Sequence, residues 1–160
     1  MGACRTFLAA LLVALTSLAA PAHACMTLAP IELSDVKYAN LVVVGRISNY
    51  AVIGDANFIS AYARFDVLID EVLVGDAPET LTVTWDNSTY GEPANVPAGP
   101  YLIALRDPRS AMLPLRGPSA TILPNPESSL LTVLQAPCTP PFIFTIDSDE
   151  ARAVLKILHP

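Results

Sequence analysis

The sequence predicts a single, mainly β domain: a small closed barrel carrying a helix at its C-terminal end. Three observations carry that prediction. Residues 62–85 (YARFDVLIDEVLVGDAPETLTVTW) alternate apolar and polar positions twice, with Phe65, Val67 and Ile69 on one side of the first run and Leu81, Val83 and Trp85 on one side of the second. Gly45 lies inside the apolar run 41–47, and a glycine there marks a bulge or bend of the kind a closed barrel needs at its corners. Residues 147–150 read DSDE, after which Ala151, Val154, Leu155 and Leu158 recur at helical spacing, with Lys156 and His159 near the far end.

Taken in order, residues 1–24 read as a secretory signal peptide. Arg5 is followed by an apolar run over 7–20, then Pro21 and the small-residue cleavage triplet Ala22-His23-Ala24. The run is shorter than the roughly 20 residues a membrane-spanning helix needs. No other segment has that character, so the chain is expected to be exported, secreted or periplasmic, without a transmembrane segment. Residues 25–160 suit one domain.

Residues 26–30 form an extended lead-in, because Pro30 restricts Ala29 to extended geometry. Residues 34–40 suit a short helical turn capped by Ser34. A buried strand follows over 41–47, then a loop over 49–57, and a long strand over 58–74 with a bulge at Asp70-Glu71. Gly75-Asp76-Ala77-Pro78 is turn chemistry that folds the next strand back as a hairpin. Residues 86–93 form a polar loop, and its Asn87-Ser88-Thr89 matches a glycosylation acceptor. Gly99-Pro100 turns into a short buried strand over 101–105. Five prolines between 106 and 126 exclude a sheet interior there. Short strands at 130–135 and 142–146 flank Pro137-Cys138-Thr139-Pro140-Pro141.

Charge and composition exclude several functions. The chain has 9 basic and 15 acidic residues and a formal net charge of −6. Loss of the signal removes Arg5 and no acid, so phosphate-backbone binding and a nucleic-acid partner are not expected. His23 also leaves with the signal, and His159 is then the only histidine. Histidine-based triads and multi-histidine metal sites have almost nothing to be built from, and the chain is read as non-enzymatic, without a cofactor or metal of its own.

Candidate site residues remain. Cys4 departs with the signal, so Cys25 and Cys138 face an oxidising compartment as a pair, read first as one disulfide. Closing so long a loop contributes about 4–5 kcal/mol in the chain-entropy account. A lipid anchor on Cys25 is the alternative, set against the A-x-A triplet that ordinary signal peptidase prefers. Asp66, Asp70 and Glu71 lie close along one strand as carboxylates for acid–base chemistry, or as the solvated face of that strand. Asp147 and Asp149 resemble the start of a calcium loop but lack its glycine and later glutamate, and helix capping accounts for them better. Arg106, Arg109 and Arg116 either greet an anionic partner or are scattered solubilising charge. Trp85 with Tyr90 offers a stacking platform for a sugar or other envelope ligand, against a core role for Trp85.

The order of elements, with a cysteine exposed by signal cleavage, then ANLVVVGRI, YARFDVLIDEVLVG, LTVTW and GPYLIAL, resembles the netrin-module and tissue-inhibitor-of-metalloproteinases superfamily. The resemblance covers roughly residues 25–105. It implies a five-stranded OB-fold barrel with helices packed beside it. It also implies that Cys25 would ligate a protease zinc through its α-amino group and carbonyl, while Met26 enters the specificity pocket. Thr27 departs from the pattern, standing where the inhibitors have a second cysteine. The expected function is therefore an exported binding module for an extracellular or periplasmic protein, a metalloprotease among the candidates. The alternatives are an envelope ligand-binding barrel and a structural lipoprotein.

Overall fold

The computed structural model describes residues 28–54, 61–86, 92–117, 120, 122 and 125–159. A 3-10 helix at Leu33–Tyr38 precedes strands β1 (Leu41–Ile53), β2 (Tyr62–Val74), β3 (Thr80–Trp85), β4 (Tyr101–Arg106), β5 (Thr132–Val133) and β6 (Ile143–Thr145), and helix α1 (Asp149–Leu158) closes the chain. The sheet runs β1-β2-β3-β5-β4, and an antiparallel β1–β4 pairing joins its ends. The result is a closed, five-stranded OB-fold-like barrel with one C-terminal helix and a short N-terminal helical turn, as the sequence predicts. It is mixed, because β3 and β5 run parallel at Thr84 and Thr132. The second edge of β4 is shared: β6 pairs with its residues 101–103 and β5 with 105–106.

Closure depends on irregularities in β1 and β2. Val44 faces Glu71 while Gly45 faces Ile69, so Asp70 is the inserted residue of a bulge where one is predicted. A Cβ on Gly45 would stand 2.5 Å from the Leu68 carbonyl oxygen, so only glycine allows the strands this approach. Further shifts lie between Val42 and Val43 and between Ser48 and Ala51; in the latter Asn49 takes φ of 51° and its amide donates to Asp66 Oδ2 at 2.8 Å. Asparagine tolerates this left-handed conformation better than most residues.

Several expectations need correction. The loop expected from residue 49 begins later, because β1 crosses the Asn49 bulge and continues pairing with β2 to Ile53. Residues 58–60 of the expected second strand lie outside the described residues, and β2 is described from Tyr62. Ser34 does not cap the first helical turn: the N-cap is Glu32, which makes no side-chain cap bond. The strands expected at 130–135 and 142–146 shrink to β5 and β6, since the intervening prolines cannot donate to a ladder. The neighbouring backbone still attaches to β4: Leu134 N–H donates to the Ala104 carbonyl at 2.9 Å, and Ala104 N–H to that of Phe142 at 3.0 Å.

Two apolar layers result. Leu41, Val43 and Ile47 of β1, Phe65 and Val67 of β2, and Tyr101, Ile103 and Leu105 of β4 fill the barrel, with Val83, Trp85 and Val133. The alternate residues Val42, Leu102 and Ala104 point outward into a second layer. There they meet Val36, Leu113, Phe142, Phe144, Ala151 and Val154. Helix α1 seats Ala151 and Val154 in this outer layer, and the Ser148 hydroxyl accepts from Ala151 N–H at 3.1 Å as its N-cap. The described part of the proline-rich segment also covers it, anchored by Leu113 and by an ion pair of 2.6 Å between Arg116 and the buried Asp35.

Candidate functional site

Two neighbouring regions carry the groups able to recognise a partner: the corner around Cys138 and a cavity at the end of β3, β4 and β5. Cys138 is 1 % exposed and occupies a tight turn with φ of 67°. The turn is held by Thr139, whose N–H and hydroxyl both donate to the Ala136 carbonyl, at 3.1 and 2.8 Å. Ala29 N–H donates to the Cys138 carbonyl at 2.8 Å, so the lead-in segment is docked on this corner four residues beyond Cys25. Cys25, Met26 and Thr27 themselves, and the 1–24 segment, lie outside the described residues, as do Tyr90 and Asn87-Ser88-Thr89.

From the corner, Gln135 leads to the cavity. Its amide donates to the Thr139 carbonyl at 2.7 Å, while its Oε1 accepts from Trp85 Nε1–H at 2.8 Å. Trp85 is 6 % exposed and belongs to the barrel core. The cavity beside it measures about 60 Å³ and opens to solvent. Asp86 and Arg106 line it, with Asn125, Gln135, Met112 and Ile122 among their neighbours. Each polar group arrives there for a local reason. Arg106 is the last residue of β4 on the outward side of Leu102 and Ala104, and Asp86 is the first residue past β3. Asn125 is steadied by its Oδ1 accepting from Glu127 N–H at 2.9 Å.

The electrostatics of the cavity are those of charges taken partly out of water. Burial, helped by the nearby Glu92 charge, pushes the Asp86 carboxyl up to about 6. Burial lowers Arg106, against the opposing pull of Asp107. Among the described residues these two charges form no ion pair with each other or with any other side chain. Among the described residues the Arg106 guanidinium makes a single hydrogen bond, to the Asp107 carbonyl, long at 3.5 Å.

The other predicted groups are dispersed into separate pairings. Asp66 accepts from Asn49 and from the Thr82 hydroxyl, bonds that hold it below the ordinary carboxylate range. Asp70 pairs with Arg46 at 2.8 Å on the surface. Arg109 clasps Asp107, lowering that carboxyl to about 2, and Arg116 holds Asp35, so the three arginines of the segment do not converge. Asp149 pairs with Arg152 one turn along α1, and the Asp147 carbonyl accepts from the same guanidinium. Among the described residues no group of three or more His, Cys, Asp or Glu could hold a metal ion, and no helix is long and apolar enough to cross a membrane.

Sequence reasoning missed Asp86, Asn125 and Gln135 as members of one site. The available signal was a charge placed directly at the end of an apolar strand, at Asp86 after Trp85 and at Arg106 after Leu105. No family model matches the chain, and no curated protein matches its sequence.

Proposed function

We propose that the chain is an exported, non-enzymatic binding module that meets a protein partner through its mature N-terminus, Cys25-Met26-Thr27, with a Cys25–Cys138 disulfide behind it. The observation that carries this reading is the 2.8 Å hydrogen bond from Ala29 N–H to the Cys138 carbonyl. It draws the lead-in segment against a buried cysteine, so that a bridge between the two cysteines asks for little further ordering. The partner class follows from the resemblance: an extracellular or periplasmic metalloprotease whose zinc takes the Cys25 amine and carbonyl. An α-amino group with an ordinary pKa near 8 is partly neutral at physiological pH, and a neutral amine is a competent zinc ligand able to displace a catalytic water.

The test begins with the intact mass of the exported protein, with and without reductant. A mass matching residues 25–160 that gains about two hydrogens on reduction gives a free amine and a bridge. Added acyl chains instead mean a lipid anchor at Cys25, and the chelation reading is then dead. The protein is next assayed on a panel of zinc proteases beside a version carrying one extra alanine before Cys25 and a Met26→Ala variant. Inhibition is expected from the natural N-terminus, abolished by the extension and weakened by Met26→Ala. Inhibition that survives the extension, or none across the panel, leaves Cys25 a structural staple.

A further inference from the structure

A site that is independent of the N-terminal reading lies in the cavity between the ends of β3, β4 and β5. Its walls carry one carboxylate and one guanidinium, Asp86 and Arg106, both partly withdrawn from water and, among the described residues, neither in an ion pair with the other or with a third side chain, though the charge of Asp107 is felt by Arg106. Asp107, the carboxylate next to Arg106 in sequence, is already engaged by Arg109 through two hydrogen bonds of 3.0 and 2.8 Å. A half-buried charge without a partner is costly, and the cost falls when a ligand supplies the missing counter-charge.

Charge balance selects the ligand. A simple anion at Arg106 would arrive beside Asp86, with Glu92 close by, in a chain that is acidic overall. A simple cation at Asp86 would leave Arg106 uncompensated and bring a like charge towards it. A ligand that carries both charges on one carbon, as an ammonium and a carboxylate, satisfies both walls at once. Size narrows it further: about 60 Å³ is far below the roughly 300 Å³ at which cavities begin to enclose drug-sized ligands, and holds only a few waters. Only a small charged head fits inside. The rest of the ligand must lie at the mouth, where the cavity-lining Met112 and Ile122 remain 49 % and 43 % exposed. Gln135 and Asn125 complete the lining, and the hydrogen bonds of Gln135 to Trp85 and Thr139 fix the wall it forms.

We propose that this cavity binds a small zwitterion of the α-amino-acid type bearing an apolar side chain, its carboxylate on Arg106, its ammonium on Asp86 and its side chain against Met112 and Ile122. Arginine suits the carboxylate because its planar fork can offer two parallel N–H donors.

The test is calorimetric titration of the exported protein with L-leucine, N-acetyl-L-leucine and L-leucinamide as probes. Saturable one-to-one binding of leucine is expected, at least tenfold weaker for N-acetyl-leucine, which lacks the ammonium, and for leucinamide, which lacks the carboxylate. Asp86→Asn and Arg106→Gln should each weaken leucine at least tenfold. Asp86→Asn removes a charge that burial disfavours, so it folds at least as well as the natural protein, and its loss of binding cannot be blamed on unfolding. Equal binding of leucine and N-acetyl-leucine would make the cavity an anion site and overturn the proposal. So would the absence of saturable binding by leucine, or unchanged binding in Asp86→Asn.

Discussion

Strands β2 and β4 flank the same strand, β1, yet are buried in opposite ways. Along Tyr62–Val74, Ala63, Phe65 and Val67 are buried while Arg64 and Leu68 are exposed, so one face of β2 meets water. Along Tyr101–Arg106 the first five residues are all buried, Tyr101, Ile103 and Leu105 inside the barrel and Leu102 and Ala104 beneath α1, the 3-10 helix and Phe142. Each layer carries an aromatic pair: the partly buried Tyr50 stacks on the core ring of Phe65 with centroids 5.8 Å apart, and Phe142 meets Phe144 edge-on in the outer layer at 5.5 Å. The difference teaches that this small barrel has a second core over β4. Helix α1 and the aromatic rings cover one part of it; beside the described part of the 107–126 segment the cavity of Asp86 and Arg106 remains.

The comparison breaks most readily at its two largest fully buried rings. Phe65→Ala in the barrel and Phe142→Ala in the outer layer are each expected to cost about 3–5 kcal/mol by urea unfolding, since both side chains are 1 % exposed. A cost below about 1 kcal/mol for Phe142→Ala alone would reduce the outer layer to a surface cover. Next in size, Gly45→Ala forces a Cβ against the Leu68 carbonyl and is expected to cost up to about 3 kcal/mol, with no loss if the β1–β2 bulge can shift. Arg116→Met strands the buried Asp35 carboxylate. Its cost should be about 2 kcal/mol, less than the 3–5 of a fully buried pair, because Arg116 is 24 % exposed and the change also removes a buried Nε without a hydrogen-bond partner.

Asp86→Asn acts in the opposite direction. The folded protein holds the Asp86 proton up to about pH 6, above the ordinary 3.8 of the unfolded chain. Protons are therefore bound more tightly in the folded state between these values, and Asp86 makes stability fall as pH rises from about 4 to 6. Discounted for the partial exposure of the group, Asp86→Asn should stabilise by about 1 kcal/mol at pH 7 and change nothing near pH 4. Thermal melts across that range check it. Asp107 has the reverse sign, its stabilising effect present above 3.8 and lost as pH falls towards 2. The smallest effect belongs to the open face of β2: Arg46→Ala removes the exposed pair with Asp70 and should change stability by less than about 0.5 kcal/mol.

How much was legible follows from the same contrast. The alternation at 62–85 identified β2, β3 and the hairpin between them, because one face of β2 is wet and period-two patterning records that. The bulge at Asp70 and the need for Gly45 were also readable, since both interrupt a pattern locally. The continued strand through Asn49 was not, because a polar residue in a left-handed bulge reads as a loop until its partner strand is known. Ser34 is not the cap for a related reason: a capping residue is defined by where the helix starts, and this one starts at Leu33, with Val36 buried in the outer layer. At the candidate site, the sequence groups Arg106 with Arg109 and Arg116, which the fold disperses, while Asp86, which lines the same cavity, lies 20 residues earlier in the chain.

By itself the sequence determined the fold class, the order of strands, the terminal amphipathic helix and the two cysteines that bracket residues 25–138, because these rest on local periodicity, turn chemistry and residue identity. Only the tertiary structure decided that β5 joins β3 in parallel to close the barrel and that β5 and β6 share one edge of β4. It also decided that a carboxylate and a guanidinium face one small cavity without pairing. Those are relations between segments far apart in sequence, set by which apolar faces must be covered together, and no local pattern encodes them.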